Sequence, residues 1–261
     1  MLGSSRVRNR MTIASWRRWL LAVLAAGAAL NAAAQRGEAL EVAAFSRAAP
    51  GDDVPGWGPY IINTSKPRTQ YRLAAVDGSV ALEAVAEQAA SGLQRPMRID
   101  ARQFPFVEWR WKIAAPVPGA DVREGSREDS PVRLLLAFHG DKHKLGFFER
   151  SKLRIAKSLS GQDPPYATLM YVWANDIPPE TVVHNPHTSR VRMIVVESGD
   201  ARVGEWVSYR RDVLADYRRA FEEEPEDLLG VGVMTDTDNT GERARAWYGD
   251  ITFRTRAPRA P

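Results

Sequence analysis

Two groups of residues in this chain have the types and spacing to do chemistry. The first is the acidic loop Asp236-Thr237-Asp238-Asn239-Thr240-Gly241. Calcium takes several oxygen ligands from carboxylates, amides and carbonyls, and a glycine permits the sharp turn they need. Asp236, Asp238 and Asn239 are therefore the candidate ligands for a Ca2+ ion. Asp236, Asp238 and Gly241 match the first, third and sixth positions of an EF-hand loop, but Thr240 departs at the fifth. Trp247 stands where the bidentate glutamate is required, so the loop is not an EF-hand. Asp, Asn and Gly also make ordinary turns without metal, and a plain loop is the simpler reading.

The second group is a set of charged and aromatic residues: Glu108, Arg110, Arg133 and Arg192, with Tyr171 and Trp173. Guanidinium groups bind carboxylates bidentately and aromatic rings stack on sugars, so this set suits a groove for sugar or acidic glycan. A salt-bridge network on an exposed sheet face is the plainer alternative. Other chemistry is poorly represented. The chain has no cysteine, which excludes disulfides, thiol nucleophiles and Cys-ligated zinc. His184 and His187 flank Pro186 in a loop and do not make a zinc set without further ligands. There is no G-x-S-x-G, P-loop or G-x-G-x-x-G motif. Glu108 with an aspartate could act as acid and base on a polysaccharide, which would need a separation that spacing does not reveal.

The elements that must position these residues read mainly as strands. In FPFVEWRWKI (Phe104 to Ile113), Val107, Trp109, Trp111 and Ile113 alternate with Phe106, Glu108, Arg110 and Lys112. That period of two predicts one buried and one wet face. Val132 to Phe138 is apolar on nearly both sides, so it should be a central strand; its lone Arg133 needs a carboxylate partner, such as Glu108. Tyr71–Val76 and Ser79–Ala86 flank Asp77-Gly78, a strong hairpin signal because both turn residues tolerate positive φ. Further strands are expected at Leu40–Phe45, Gly92–Ile99, Tyr166–Trp173, Val191–Glu197 and Glu205–Tyr209. Leu228–Met234 and Ala244–Phe253, around the acidic loop, read as a closing hairpin.

His143 to Leu159 has Leu145, Phe148, Lys152, Ile155 and Leu159 at helical spacing, which predicts a basic helix docked on the sheets; a membrane-surface helix is the alternative. Asp212 to Glu224 reads as a second helix, capped by Asp212 and ended by Pro225. The strands do not alternate regularly with helices, which argues against a parallel βαβ sheet. The expected fold is mostly β, an antiparallel two-sheet β-sandwich (jelly-roll or galactose-binding-like) with two peripheral helices.

The N-terminus bounds the compartment. Five arginines precede a 12-residue apolar run, Trp19 to Leu30, and Ala32-Ala33-Ala34 follows as an A-x-A cleavage site. This is the pattern of a secretory signal peptide over residues 1–34, leaving 35–261 as one sandwich domain. The apolar run is shorter than the ~20 residues of a spanning helix. Arg17-Arg18 also fits a loose twin-arginine signal, though the general secretory route is the default. Removing 1–34 lowers the basic count from 36 to 31 and leaves the 32 acidic residues untouched. The basic balance is therefore a property of the leader, and an argument for nucleic acid loses its premise. The expected location is periplasmic or secreted, with no spanning helix after cleavage. Nothing in the sequence sets an oligomeric state.

Several segments together carry a resemblance: FPFVEWRWKI, DSPVRLLLAF, YATLMYVWAND, RVRMIVVESGD, EWVSYRRDVLADYRRAFEEEP and VGVMTDTDNTGERARAWYGDI. The chain resembles the bacterial domain-of-unknown-function family 3047, most clearly from Phe104 to Phe253. The resemblance implies an exported protein and transfers no catalytic residue. The Trp-bearing strands are also similar to those of galactose-binding-like and other carbohydrate-binding sandwiches, an analogy of fold only. The combined expectation is an exported, non-catalytic protein binding carbohydrate or another cell-envelope ligand. The alternatives are a hydrolase or lyase acting on envelope polysaccharide, or a structural envelope protein.

Overall fold

The computed structural model describes residues 38–255. The expected signal peptide and the tail Arg256 to Pro261 lie outside them. The chain divides into two compact units, Met1–Leu40 and Glu41–Pro261. Only residues 38–40 of the first are described, and Ala39 and Leu40 open the strand β1 (Ala39–Ala43). No helix among the described residues is long and apolar enough to cross a membrane.

The second unit is mostly β, a two-sheet β-sandwich with two peripheral helices. The first sheet runs β11 (Val207–Asp212), β6 (Phe106–Ile113), β13 (Arg243–Arg254), β4 (Ser79–Glu87), β3 (Gln70–Val76). The second runs β2 (Gly58–Ile61), β5 (Ala90–Ile99), β12 (Leu228–Asp236), β7 (Ser130–Phe138), β8 (Ala167–Ala174), β10 (Val191–Ser198), β9 (Val182–His184). The Asp77-Gly78 hairpin forms as the sequence predicts, with φ of 48° and 77° at the two turn residues.

Two expectations about connection fail. Leu228–Met234 and Ala244–Phe253 are not a hairpin: β12 lies between β5 and β7 in the second sheet, and β13 between β6 and β4 in the first. The acidic loop is therefore an arch between sheets. Nearly all of β12 is buried, and it takes its hydrogen bonds from β5 and β7 on its two edges, leaving no edge for β13. The sandwich is also not wholly antiparallel, because β8 and β10 pair in parallel. The intervening chain places β9 on the far side of β10, so β8 and β10 are not joined by a tight turn.

The main core lies between the sheets. Trp109 and Trp111, on the alternating face of β6, are buried. Trp109 stacks on Tyr171 of β8 with ring centroids 4.9 Å apart, which joins the two sheets. The Tyr248 hydroxyl of β13 donates to the Met234 carbonyl of β12 (2.6 Å) and accepts from the Arg133 amide of β7 (3.3 Å). The second sheet is buried on its other face too. There Leu135, Met170, Val172, Met193, Val195 and Met234 pack with Val122, Ile177 and Val183 from covering loops and β9. Burial on both faces explains why β7 and β8 are continuous apolar runs rather than alternating ones.

Arg133 lies under those loops. Its Nε and Nη2 donate to the two carboxylate oxygens of Asp236 at 2.9 and 3.0 Å, and Nη2 donates to the Glu128 carbonyl at 2.8 Å. A carboxylate does pair with Arg133, as the sequence predicts, but Glu108, the example it offers, is on the opposite sheet. Strand parity gives the two faces of β7 but not the sheet to which it belongs, and so misassigned the pair. Burial alone would drive the guanidinium down, but Asp236 and Glu128 outweigh it and hold Arg133 charged. Burial pushes the Asp236 carboxyl up to about 7 against the pull of Arg133.

Removing one member of such a pair strands a buried charge. Asp236→Ala is expected to lower stability by about 3–5 kcal/mol, read from the urea unfolding midpoint. Asp236→Asn, which keeps an acceptor for Arg133, is expected to cost less.

Candidate binding site

The outer face of the first sheet is where the wet side of FPFVEWRWKI is displayed. Glu108, Arg110 and Lys112 point outward from β6, and β11 and β13 supply the flanking rows. Arg210 and Thr252 lie opposite Glu108, and Ser208 lies opposite Arg110. On the other side of Arg110 the ladder is broken by a bulge in β13, between Tyr248 and Ile251. The bulge shifts the strand's parity: Ala244, Ala246 and Tyr248 are buried before it, Ile251 and Phe253 after it. Gly249 sits in the bulge. A Cβ there would lie 2.5 Å from Cγ and 2.7 Å from Nε of Arg110, so the missing side chain is what lets Arg110 lie down across the sheet.

The result is a shallow depression of about 450 Å³ lined by Glu108, Trp109, Arg110, Ser208, Tyr209, Arg210, Asp250 and Thr252. Most of its charges are committed. Glu108 accepts from Arg210 (3.1 Å) on one oxygen and from Arg254 (2.7 Å) on the other. Asp250 is held by the amide and hydroxyl of Ser46 at 2.9 and 2.5 Å. Arg110 is different. Its guanidinium lies 4.7 Å from the ring centre of Trp206, and it has no carboxylate partner among the described residues. Trp206 is fixed in turn by an indole hydrogen bond to Asp77 (2.9 Å), which also pairs with Lys112 (2.9 Å). Arg110 is thus an unneutralised cation in a fixed pose beside the Ser208 and Thr252 hydroxyls. With both oxygens of Glu108 and of Asp250 engaged, the depression offers hydrogen-bonding and charge recognition rather than a free acid–base pair.

The other predicted site residues lie elsewhere. Tyr171 and Trp173 share a face of β8, as parity predicts, but it is the core face. Both are fully buried, with Tyr171 donating to Asp216 (2.9 Å) and Trp173 donating to the Gly199 carbonyl (2.9 Å). Arg133 is engaged with Asp236. Arg192 donates to the Ala220 carbonyl (3.2 Å) and packs over Phe221, closing the end of the second helix, α2 (Val213–Phe221). Of the six residues the sequence predicts for one groove (Glu108, Arg110, Arg133, Tyr171, Trp173 and Arg192), only Glu108 and Arg110 meet. Sequence reading missed Ser208, Arg210, Asp250, Thr252 and Trp206. The parity break at Gly249-Asp250 was the one available signal for them.

The acidic arch brings Asp129, Asp236 and Asp238 together, with one carboxylate oxygen from each within 4.8 Å of the others. Asn239 uses its amide on Asp129 (3.3 Å) and its side chain on the Glu128 carbonyl (3.4 Å), so Asp129 takes its place in the cluster. Each carboxylate has a partner within the protein: Arg133 for Asp236, Lys66 for Asp238 (2.9 Å), and the Thr240 amide and hydroxyl for Asp129 (2.7 Å each). Asp129, distant in sequence, could not be read from the loop alone.

Fold and site together describe a β-sandwich whose outer sheet face carries an ion-paired surface around one uncommitted arginine. A family model described as "Protein of unknown function (DUF3047)" matches residues 55–252, and the chain belongs to that family. No curated protein matches it. Among solved structures, the chain is similar to CtCBM11 (TM-score 0.41, 10% identity, 85% of this chain and 97% of that one). It is also similar to the cellulose-induced protein Cip1 (TM-score 0.38, 13% identity, 80% and 96%). A third similarity is to the glycoside hydrolase domain of Endo-D from Streptococcus pneumoniae R6 (TM-score 0.33, 6% identity), with 77% of this chain covering 22% of that one.

A second ion cluster on the same sheet face has a measurable pH signature. Glu83 is buried beneath Arg72 and Arg245, which donate to its two oxygens at 2.5 and 2.7 Å. Burial raises its pKa, but the two arginines outweigh burial and hold the carboxyl below the ordinary carboxylate range. A depressed carboxylate stabilises the fold above its unfolded pKa, and that contribution is lost as pH falls through the folded value. The melting temperature is expected to fall as pH drops below about 4.5, with a shallower fall in Glu83→Gln. Scanning calorimetry between neutral and acid pH checks this.

Proposed function

We propose that the protein is exported and acts as a non-catalytic binding protein for an envelope ligand, with acidic carbohydrate as the ligand class. The observation that carries the reading is Arg110. A planar guanidinium, stacked on Trp206 and free of a carboxylate partner among the described residues, is set beside two hydroxyls in a depression open to solvent. That arrangement suits a carboxylated sugar: the guanidinium takes the carboxylate as a fork, and Ser208 and Thr252 meet ring hydroxyls. The fixed pose limits the ordering cost of binding. Export rests on the leader-like residues 1–34.

Glycan-array screening with uronate-containing and neutral oligosaccharides, followed by calorimetry, tests the ligand class. Acidic oligosaccharides are expected to bind with salt-sensitive affinity. Arg110→Ala is expected to weaken them roughly ten- to hundredfold, the value of one charge-assisted bidentate contact. Equal binding of neutral sugars, or an unchanged affinity in Arg110→Ala, would overturn the assignment. Export is tested by cell fractionation and N-terminal sequencing, with a mature chain beginning at Gln35 outside the cytoplasm as the expected result.

A further inference from the structure

The first helix, α1 (Phe147–Ser160), has no buried residue. The sequence predicts that Phe148, Ile155 and Leu159 dock it on the sheets; instead these residues face away. Phe147, Phe148, Ile155 and Leu159 are 66%, 80%, 60% and 46% exposed. The half-buried residues are Glu149, Arg150, Ser151, Leu153 and Ser160. The helix is held by its ends. Glu149 accepts from the Thr188 hydroxyl (2.7 Å) next to β10, while the Leu159 carbonyl accepts from the Thr64 amide (3.0 Å) beyond β2. Gln162, just past the helix, bonds to Pro59 and Ile61 of β2. These moorings lie near opposite edges of the second sheet. Fourteen residues of helix span ~21 Å, and the five strand steps from β2 to β10 span ~24 Å, so α1 lies across the sheet as a bar with its apolar stripe outward.

The stripe is flanked by positive charge. Residues 141–163 hold six cations (Lys142, Lys144, Arg150, Lys152, Arg154, Lys157) against three acids (Asp141, Glu149, Asp163). Lys152 pairs with Glu149, and Lys142 and Lys157 share Asp163. Lys144 and Arg154 have no carboxylate partner among the described residues. An outward apolar stripe with Phe residues, bordered by Lys and Arg, is the pattern of a helix that lies in a membrane interface. The charge decides the occupant: a second copy facing this stripe would oppose cations to cations, whereas anionic headgroups complement them.

We infer that α1 is a membrane-surface helix that seats the protein on an anionic phospholipid bilayer. The absence of native cysteine allows a local test on the full chain. An environment-sensitive fluorophore at Ile155→Cys reports on the stripe, and one at Glu87→Cys, on the other sheet, serves as the control. With vesicles containing phosphatidylglycerol, the label at 155 is expected to brighten and lose access to an aqueous quencher, while the label at 87 stays exposed. With pure phosphatidylcholine neither changes. Lys152→Glu with Arg154→Glu is expected to weaken the response at 155 by at least about tenfold. No change at 155 with anionic vesicles, an equal change with neutral ones, or protection of both labels would overturn the proposal. Concentration-dependent protection at 155 without vesicles would also overturn it, in favour of a second copy.

Discussion

The bidentate contact between Arg133 and Asp236 is the interaction on which the rest of the second sheet depends. It ties β7 to the last residue of β12, at the point where the chain leaves one sheet for the other. The same guanidinium donates to the carbonyl of Glu128, so the loop that covers the outer face is fastened from below. A buried ion pair is seldom a net source of stability against a well-packed apolar alternative. What the contact does in this structure is join β7, the end of β12 and the Glu128 loop through one guanidinium.

From that crossing point the geometry of the other face follows. β13 enters the first sheet next to β6 and must keep its apolar side toward the core while the ladder twists. It does so with a bulge at Gly249-Asp250, which changes its parity. The inserted residues leave a gap in the row opposite Arg110, and the glycine leaves it low. The depression is thus a by-product of strand matching, furnished with whatever β6 and β11 present outward. Glu108 and Arg210 neutralise one another there; Arg110 is supported by an aromatic ring instead of a carboxylate.

What was legible in the sequence divides along the range of the physics. Local rules read well: the Asp77-Gly78 turn, the alternating face of β6, the double-sided apolar character of β7, and the two helices. Long-range assignments did not. Periodicity says that Arg133 differs from its neighbours, but the identity of its partner depends on which sheet β7 joins. Tyr171 and Trp173 share a face, and only the packing of Trp109 against Tyr171 shows that the face is inward. The arch after β12 has turn chemistry that a hairpin would also use, so local composition cannot separate the two. Four of the six predicted ligand residues lie away from the depression, and for Arg133, Tyr171 and Trp173 the reason is the same: parity assigns sides, not layers.

α1 makes the same point from the other direction. Its apolar spacing was correctly helical, and the default for an amphipathic helix is to turn that stripe inward. The second sheet weakens the reason to do so, because part of its outer face is already covered by the loops around Val122 and Ile177 and by β9. The helix is moored by polar contacts near its two ends, and its half-buried residues are largely polar. An apolar stripe left outward under those conditions is a property of the folded protein, not a failure of packing. The cations beside it restrict which environments can lower its free energy.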